Sequence, residues 1–225
     1  MNSVILCEGS TDYTLLQYYM RKVNGWMDRK DIQKDVFKIE GQKSRVFLKE
    51  DSFMTIAATG GCSMMDFGLE NAIKRNYFAP PDDQKQKFDA IVMITDRDEI
   101  TTETEFIEKI KKVLAEKEVS HSELCNNKWI NCKMINSYGR NVEFHFLLLV
   151  IPFEENGAME TFLLNAIDEE DVYDKKIIQQ CIEFVDNVDL ERRYLTNRRY
   201  ITKAKFDTYF SIRTPAQQFN ESQHL

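Results

Sequence analysis

Two carboxylates separated by one residue stand at the end of an unbroken apolar run. Asp96 and Asp98 follow residues 90–94, Ala-Ile-Val-Met-Ile, which predict a strand buried on both faces. Residues i and i+2 of an extended segment share a face, so both carboxylates can point at one ion. Glu99 and Asp89 add negative charge, and such crowding is unfavourable without a cation or a basic ligand nearby. The pattern therefore predicts a cation site.

A third carboxylate follows another short apolar strand. Glu8 comes directly after residues 4–7, Val-Ile-Leu-Cys. The carboxyl ends of parallel strands lie along one edge of a sheet, where open α/β sheets bind their ligands, so we expect Glu8 near Asp96 and Asp98. One Glu and two Asp are all oxygen donors, which suit Mg²⁺ or Mn²⁺ and not zinc. Open positions on such an ion let a substrate phosphate complete its coordination.

Three rounds of strand, loop and helix position these acids. Gly60 and Gly61 end the second of the strands. The alternation predicts an α/β fold with a central, mostly parallel sheet flanked by helices. The predicted strands and helices are, in chain order, 4–7, 12–23, 53–58, 63–77, 90–94 and 103–118.

The segments outside these rounds are less regular. Residues 36–39 predict a strand, whereas 41–50 predict a loop or a short irregular helix. Residues 129–135 and 142–151 both predict strands. The two strands either pair as a hairpin, or the second is the final parallel strand of the sheet, and the sequence pattern leaves both alternatives open.

The C-terminal part of the chain predicts a small helical extension. Helical patterns occur at 157–167, 175–188 and 206–212. We therefore divide the chain into an α/β domain at 1–155 and a C-terminal extension at 156–225 that completes the site.

Composition limits the class of protein further. The 225 residues carry a formal net charge of −7, which counts against a purely electrostatic nucleic-acid binder. The five cysteines show no CxxC pair and no zinc-finger spacing, which favours reduced thiols in a cytosolic protein. No apolar run approaches the roughly 20 residues of a membrane span, and no signal-peptide pattern opens the chain. We expect a cytoplasmic protein without membrane contact.

The order strand, Glu-Gly, helix, Gly-containing turn, strand and Asp-x-Asp resembles the toprim domain of topoisomerases, bacterial primases, recombination mediators and OLD-type nucleases. Glu8-Gly-Ser-Thr-Asp12 and Thr95-Asp-Arg-Asp98 carry this resemblance, which covers roughly residues 1–150. It implies that Glu8 is a general acid/base or a metal ligand and that Asp96 and Asp98 bind Mg²⁺. The glycines that it implies at the site are Gly9, Gly60 and Gly61.

The C-terminal part resembles short stand-alone toprim proteins related to OLD-type nucleases. The similar segments are 157–164 and 203–209, and the chain has no Walker A motif of a fused ATPase. Glu160 then becomes a candidate ligand of a second metal. Lys203 and Lys205 become candidates to stabilise the charge that develops during phosphoryl transfer.

A basic segment precedes the end of the chain. Residues 192–205 contain six cations and no acid, with two tyrosines interleaved. Such a segment either grips a nucleic-acid backbone and stacks a base, or forms an ordinary solvated face. The candidate nucleic-acid-binding residues are Arg192, Arg193, Arg198 and Arg199.

These features together predict a Mg²⁺- or Mn²⁺-dependent nuclease that hydrolyses DNA or RNA phosphodiesters, as an effector of prokaryotic defence. An activating protein partner and a homo-oligomer are compatible with this hypothesis. The first alternative is a non-catalytic toprim-fold adaptor that binds nucleic acid or protein. A third class, a small-molecule phosphotransferase or phosphatase, predicts Asp-x-Asp after the first strand, whereas here it follows the third. In a plain structural interpretation, Asp96 and Asp98 only cap the following helix.

Overall fold

The computed structural model describes residues 1–28, 43–80 and 87–214, so the strand expected at 36–39 lies outside the described residues. The chain divides into two compact units. The first unit contains the described residues within Met1–Thr95 and Thr101–Val150, and the second contains those within Asp96–Ile100 and Ile151–His224. The Asp-x-Asp segment thus belongs to the same unit as the C-terminal helices.

Eight strands and six α-helices form the described structure. The strands are β1 (Asn2–Cys7), β2 (Met27–Asp28), β3 (Lys43–Lys49), β4 (Ser52–Ala58), β5 (Ala90–Asp96), β6 (Ser120–His121), β7 (Ile130–Ile135) and β8 (Asn141–Ile151). The helices are α1 (Ser10–Lys22), α2 (Met65–Phe78), α3 (Thr102–Glu116), α4 (Met159–Glu170), α5 (Val172–Val188) and α6 (Arg198–Arg213), with a 3₁₀ turn at Cys62–Met64.

All eight strands belong to one sheet, in the order β2-β3-β4-β1-β5-β8-β7-β6. Strand β1 lies between β4 and β5 and is parallel to both, with Cys7 paired to Ala58 on one side and to Ile94 on the other. The predicted α/β fold class is therefore confirmed. The register also aligns the ends of three strands, because the pairing continues to the last residue of β1.

Strand β8 satisfies both alternatives that the sequence left open. It pairs antiparallel with β7, with Ile130 opposite Phe146. On its other side, the N–H of His145 donates to the carbonyl of Asp89 (2.9 Å), and the N–H of Arg97 donates to the carbonyl of Ile151 (2.6 Å). Both chains advance in the same direction between these two bonds, so β8 runs parallel to β5. The hairpin strand is thus also the fourth strand of the parallel centre.

The interpretation of residues 41–50 as a loop or irregular helix is wrong, because Lys43–Lys49 is a strand that pairs antiparallel with β4. Its three basic residues obscure the apolar pattern, and only Val46 and Phe47 are buried. The C-terminal helix is also longer than expected. It begins at Arg198 and not at residue 206, because Asn197 caps it by accepting a hydrogen bond from the N–H of Tyr200.

The core of the first unit lies between the sheet and the helices α2 and α3, which contact each other. Apolar residues at helical spacing on α3 supply one side of this core, and alternating residues of β7 and β8 supply part of the other. The fully or almost fully buried members include Leu6, Leu69, Ile73, Ile91, Met93, Phe106, Ile110, Leu114 and Phe146. This packing fixes the register of the strands whose ends carry the acids.

The second unit contains the helices α4, α5 and α6, which contact one another pairwise. Asp171 caps α5 by accepting hydrogen bonds from the N–H groups of Tyr173 and Asp174. Phe206 and Tyr209 of α6 are buried. All five cysteines of the chain are free thiols. None of the helices in the described ranges combines the length and the apolar content needed to cross a membrane.

Candidate active site

Glu8 stands one residue beyond the end of β1, where its backbone meets the turn after β4. The carbonyl of Glu8 accepts hydrogen bonds from the N–H groups of Gly60 (3.2 Å) and Gly61 (2.8 Å). Both glycines have positive φ, +92° and +126°, which L side chains rarely adopt. The glycine pair therefore fixes the backbone of Glu8, and this contact requires glycine.

Gly9 and Asp12 form the start of α1. The N–H of Gly9 donates to Oδ2 of Asp12 (3.0 Å), which closes the first turn of the helix from the side chain. Gly9 has an extended backbone, with φ −125°, that any residue can adopt. Asp12 is buried and serves as a helix-capping acid. The conformation of Gly9 thus does not require glycine, and its contact with Asp12 belongs to the start of α1.

The side chain of Glu8 is held by a residue that the sequence analysis did not single out. The hydroxyl of Thr95 donates a hydrogen bond of 3.0 Å to Oε2 of Glu8. Thr95 is 2% exposed, and Glu8 is partly buried. The bond links the end of β1 to the penultimate residue of β5, directly before Asp96. The β1–β5 register explains it, because Glu8 and Thr95 each follow a member of the Cys7–Ile94 pair.

Asp96 contacts the start of α4 in the second unit. Its Oδ1 accepts a hydrogen bond from the backbone N–H of Met159 (2.9 Å), the first residue of that helix. A carboxylate at a helix N-terminus is favoured by the helix dipole and satisfies a backbone donor that has no partner within the helix. Asp96 does cap a helix, but not the helix that follows it in sequence.

Arg97, between the two acids, is almost completely buried at 9% exposure. Its Nε donates to the carbonyl of Pro152 (2.7 Å), and its own carbonyl accepts from the N–H of Gly157 (2.8 Å). These bonds anchor the Asp-x-Asp segment to the chain that leads into α4. Nothing in the local sequence pattern marks Arg97 as an anchor, because its partners lie more than 50 residues away.

Glu160 and Lys203 face each other in the second unit. Glu160, in the first turn of α4, is 3% exposed, and Nζ of Lys203 lies 3.7 Å from its Oε1. The predicted pair Lys203 and Lys205 is divided between two partners. Nζ of Lys205 lies 2.9 Å from Oδ1 of Asp186 on α5, because residues two apart on a helix point in different directions.

Asp98 is exposed and forms an ion pair with Arg198, the first residue of α6. The two residues line a shallow cleft of about 560 Å³. Both signs of charge and an aromatic ring are present in it. The other lining residues are Glu99, Asn197, Arg199 and Tyr200.

The remaining predicted arginines, Arg192 and Arg193, lie in an exposed turn organised by Asp189. The carboxylate of Asp189 accepts hydrogen bonds from the N–H groups of Leu195 (2.8 Å), Tyr194 (2.8 Å) and Arg193 (3.0 Å). These backbone hydrogen bonds, that of Leu195 foremost, lower the pKa of Asp189. The turn therefore has a defined backbone that presents its cationic side chains to solvent.

The sequence predicted that acids from several segments would hold a metal ion. Within residues 1–28, 43–80 and 87–214, no three or more His, Cys, Asp or Glu side chains lie close enough together to hold a metal. Glu8 bonds to Thr95, Asp96 to the Met159 N–H, and Asp98 to Arg198. The donor set fits Mg²⁺ or Mn²⁺ by its chemistry, since all of its side chains are carboxylates.

The fold and the acids after its strands define an α/β protein with a parallel sheet centre and an acidic strand-end segment. The family model described as "Protein of unknown function (DUF3226)" matches residues 2–223, and the chain belongs to that family. No curated protein matches the sequence.

Several solved structures match the chain. It is similar to the hypothetical protein PH0156 from Pyrococcus horikoshii OT3, at 16% sequence identity and a TM-score of 0.52, over 95% of this chain and 90% of that one. This similarity concerns the fold alone. Lactoylglutathione lyase from Agrobacterium tumefaciens aligns at 13% identity over 65% of this chain and 92% of its own, and its TM-score of 0.18 is too low to indicate a shared fold.

Proposed function

We propose that this protein is a Mg²⁺- or Mn²⁺-dependent nuclease of the toprim type that hydrolyses DNA or RNA phosphodiesters. The hydrogen bond between Thr95 and Glu8 carries the proposal. It fixes the acid that follows β1 beside the residue that precedes Asp96. A toprim-type site requires its Glu and its Asp-x-Asp at the ends of adjacent parallel strands, and β1 and β5 are adjacent and parallel.

The roles of the side chains follow from their chemistry. Glu8, Asp96 and Asp98 would hold the ion in place of their present partners, with Glu160 as a ligand of a second ion. The bound ion would lower the pKa of a water molecule and polarise the phosphodiester. Lys203 would offset the negative charge of the phosphoryl group. Lys205 would have the same role towards the substrate. The exposed Arg192, Arg193, Arg198 and Arg199 would bind the nucleic-acid backbone.

A second candidate function is a non-catalytic adaptor that binds nucleic acid or protein. The partners of the two aspartates favour it. Asp96 accepts the Met159 N–H, and Asp98 is paired with Arg198. A metal ion would have to compete with both interactions. An adaptor that binds no metal at this segment can retain both of them.

The test is cleavage of end-labelled single- and double-stranded DNA and RNA by the purified protein in Mg²⁺, Mn²⁺ or EDTA. Two variants remove charge while keeping the observed hydrogen bonds: Glu8→Gln still accepts from Thr95, and Asp96→Asn still accepts from Met159. We expect each to reduce metal-dependent cleavage at least about 100-fold, since even residues that only support metal ligands account for 10- to 100-fold. Calorimetric titration with Mn²⁺ should show a matching loss of metal affinity.

The control variant is Glu108→Gln, which makes the same chemical change at an exposed acid of α3. It should cleave and bind Mn²⁺ as the wild type does. Binding of nucleic acid without cleavage in every metal would favour the adaptor. Cleavage that persists in the Glu8→Gln/Asp96→Asn double variant would show that these acids do not form the active site.

A further inference from the structure

Helix α5 carries an apolar stripe on its solvent-exposed side. Tyr173, Phe184 and Val188 are 73%, 58% and 57% exposed, and Ile177 is partly buried. Their spacings of four, seven and four residues place all four side chains on one face of the helix. We call these four residues the α5 stripe. The stripe is separate from the buried face of α5, which consists of Ile178, Cys181 and Val185.

Such a stripe differs from the single exposed apolar residues that most protein surfaces contain. Contiguous exposed apolar side chains mark interaction sites, and a helix packed on one side only is expected to be polar on the other. The α5 stripe widens the apolar sector of the helix well beyond what packing within its own unit uses. A second surface is therefore expected to cover it.

The arrangement of the stripe fits a second copy of the same helix. Tyr173 and Val188 are equidistant from the point midway between Gln180 and Cys181, and so are Ile177 and Phe184. If two α5 helices pack antiparallel about a two-fold axis at this point, Tyr173 meets Val188 of the second copy. Ile177 likewise meets Phe184. A two-fold interface requires such a self-complementary surface.

Two charges beside the stripe lie close to the same two-fold point, since Lys176 and Glu183 are centred between Gln179 and Gln180, one residue away. Lys176 and Glu183 are exposed, lie seven residues apart on the polar edge of the stripe, and have no ion-pair partner within the described parts of the chain. In the antiparallel arrangement Lys176 of each copy lies about two residues, or about 3 Å along the helix axis, from the level of Glu183 of the other copy, a distance that these long side chains can span. Two ion pairs result, each between a lysine and a glutamate. A parallel arrangement would instead place each charged residue beside its own copy, so that like charges meet.

We propose that the protein forms a homodimer through its α5 stripes, packed antiparallel, with reciprocal Lys176–Glu183 ion pairs. The apolar side chains supply the affinity, and the ion pairs select the antiparallel register. This interface does not depend on the proposed nuclease function, because none of its residues belongs to the candidate active site.

The decisive experiment exchanges the charges and measures mass by sedimentation equilibrium. Lys176→Glu alone places Glu opposite Glu, and Glu183→Lys alone places Lys opposite Lys. We expect each variant to dimerise about tenfold more weakly than the wild type, or worse, because two attractions become repulsions. An equimolar mixture of the two variants should form heterodimers, since both contacts are then between opposite charges.

A second variant tests the apolar contact. Phe184→Glu should weaken the dimer at least about 100-fold, as the loss of a central aromatic anchor does. Phe78→Glu is the matched control, because Phe78 is 54% exposed on α2, outside the stripe. Circular dichroism checks that each variant is folded. A wild type that stays monomeric at every concentration, a dimer insensitive to Phe184→Glu, or a charge-exchanged mixture that does not associate would each overturn the proposal.

Discussion

The hydrogen bond between Thr95 and Glu8 should contribute measurably to stability. Thr95→Val removes the hydroxyl and keeps the branched shape of the side chain, so the buried site loses a donor without gaining a large cavity. The carboxylate of Glu8 then keeps its charge but loses a partner at the end of β1. We expect a lower free energy of unfolding and a less ordered Glu8 side chain.

The magnitude follows from the environment of the two atoms. A hydrogen bond to a charged group contributes about 1.5–3 kcal/mol. Glu8 is only partly buried, so water replaces part of the lost interaction and the lower end of this range applies. We therefore expect Thr95→Val to cost about 1.5 kcal/mol, which lowers the melting temperature by about 3–6 °C in a chain of this size.

A double-mutant cycle isolates the bond from other effects of the substitutions. Urea unfolding of the wild type, Thr95→Val, Glu8→Ala and the double variant gives the coupling energy between the two side chains. We expect a coupling of about 1 kcal/mol. Thr95→Ser is the matched control, because it keeps the hydroxyl and loses only a methyl group, so its coupling to Glu8→Ala should remain. Additive effects of Thr95→Val and Glu8→Ala would refute the role given to this bond.

Two further predictions concern the backbone and a buried thiol. Gly61→Ala should destabilise the protein by about 1–3 kcal/mol in urea unfolding because its φ of +126° strains any L side chain, whereas Gly9→Ala, at φ −125°, should cost less than about 1 kcal/mol. Burial raises the pKa of Cys132 to about 12, so this thiol should resist iodoacetamide at pH 8 in the native protein and react on unfolding. Because the unfolded thiol ionises first, near pH 9, Cys132 should leave stability unchanged below that pH and reduce it as the pH rises towards 12. Cys132→Ala should remove that part of the pH dependence, and an unchanged alkaline stability profile in this variant would contradict the assignment.

Local sequence patterns were sufficient for the central elements. The apolar runs before Glu8 and Asp96 became β1 and β5, and helical spacing located α2 and α3 within a few residues. Strand β3 was missed because its buried residues, Val46 and Phe47, stand among three cations, and pairing with β4 outweighs that composition. The sequence left two alternatives open for strand β8, because this strand is antiparallel to β7 on one side and parallel to β5 on the other.

The candidate site, like the fold, could be predicted from the sequence only in part. The acids themselves could be recognised from their positions after apolar strands, and so could the glycine pair, whose positive φ requires glycine. The partners of those acids could not be recognised. Thr95 reaches Glu8 across 87 residues, and the Met159 N–H reaches Asp96 across 63. Periodic sequence patterns do not predict contacts between residues that are so far apart in the chain.

The sequence by itself determined the central strands and helices, from β1 to α3 with the exception of the strands before β4, and the positions of three carboxylates at the ends of β1 and β5, because apolar periodicity and turn residues act over a few neighbouring positions. Only the tertiary structure decided what each carboxylate contacts. The register of β1 against β5 brings Thr95 to Glu8, and the return of the chain after β8 brings the start of α4 to Asp96. These contacts depend on how distant segments pack, and packing is a property of the whole chain.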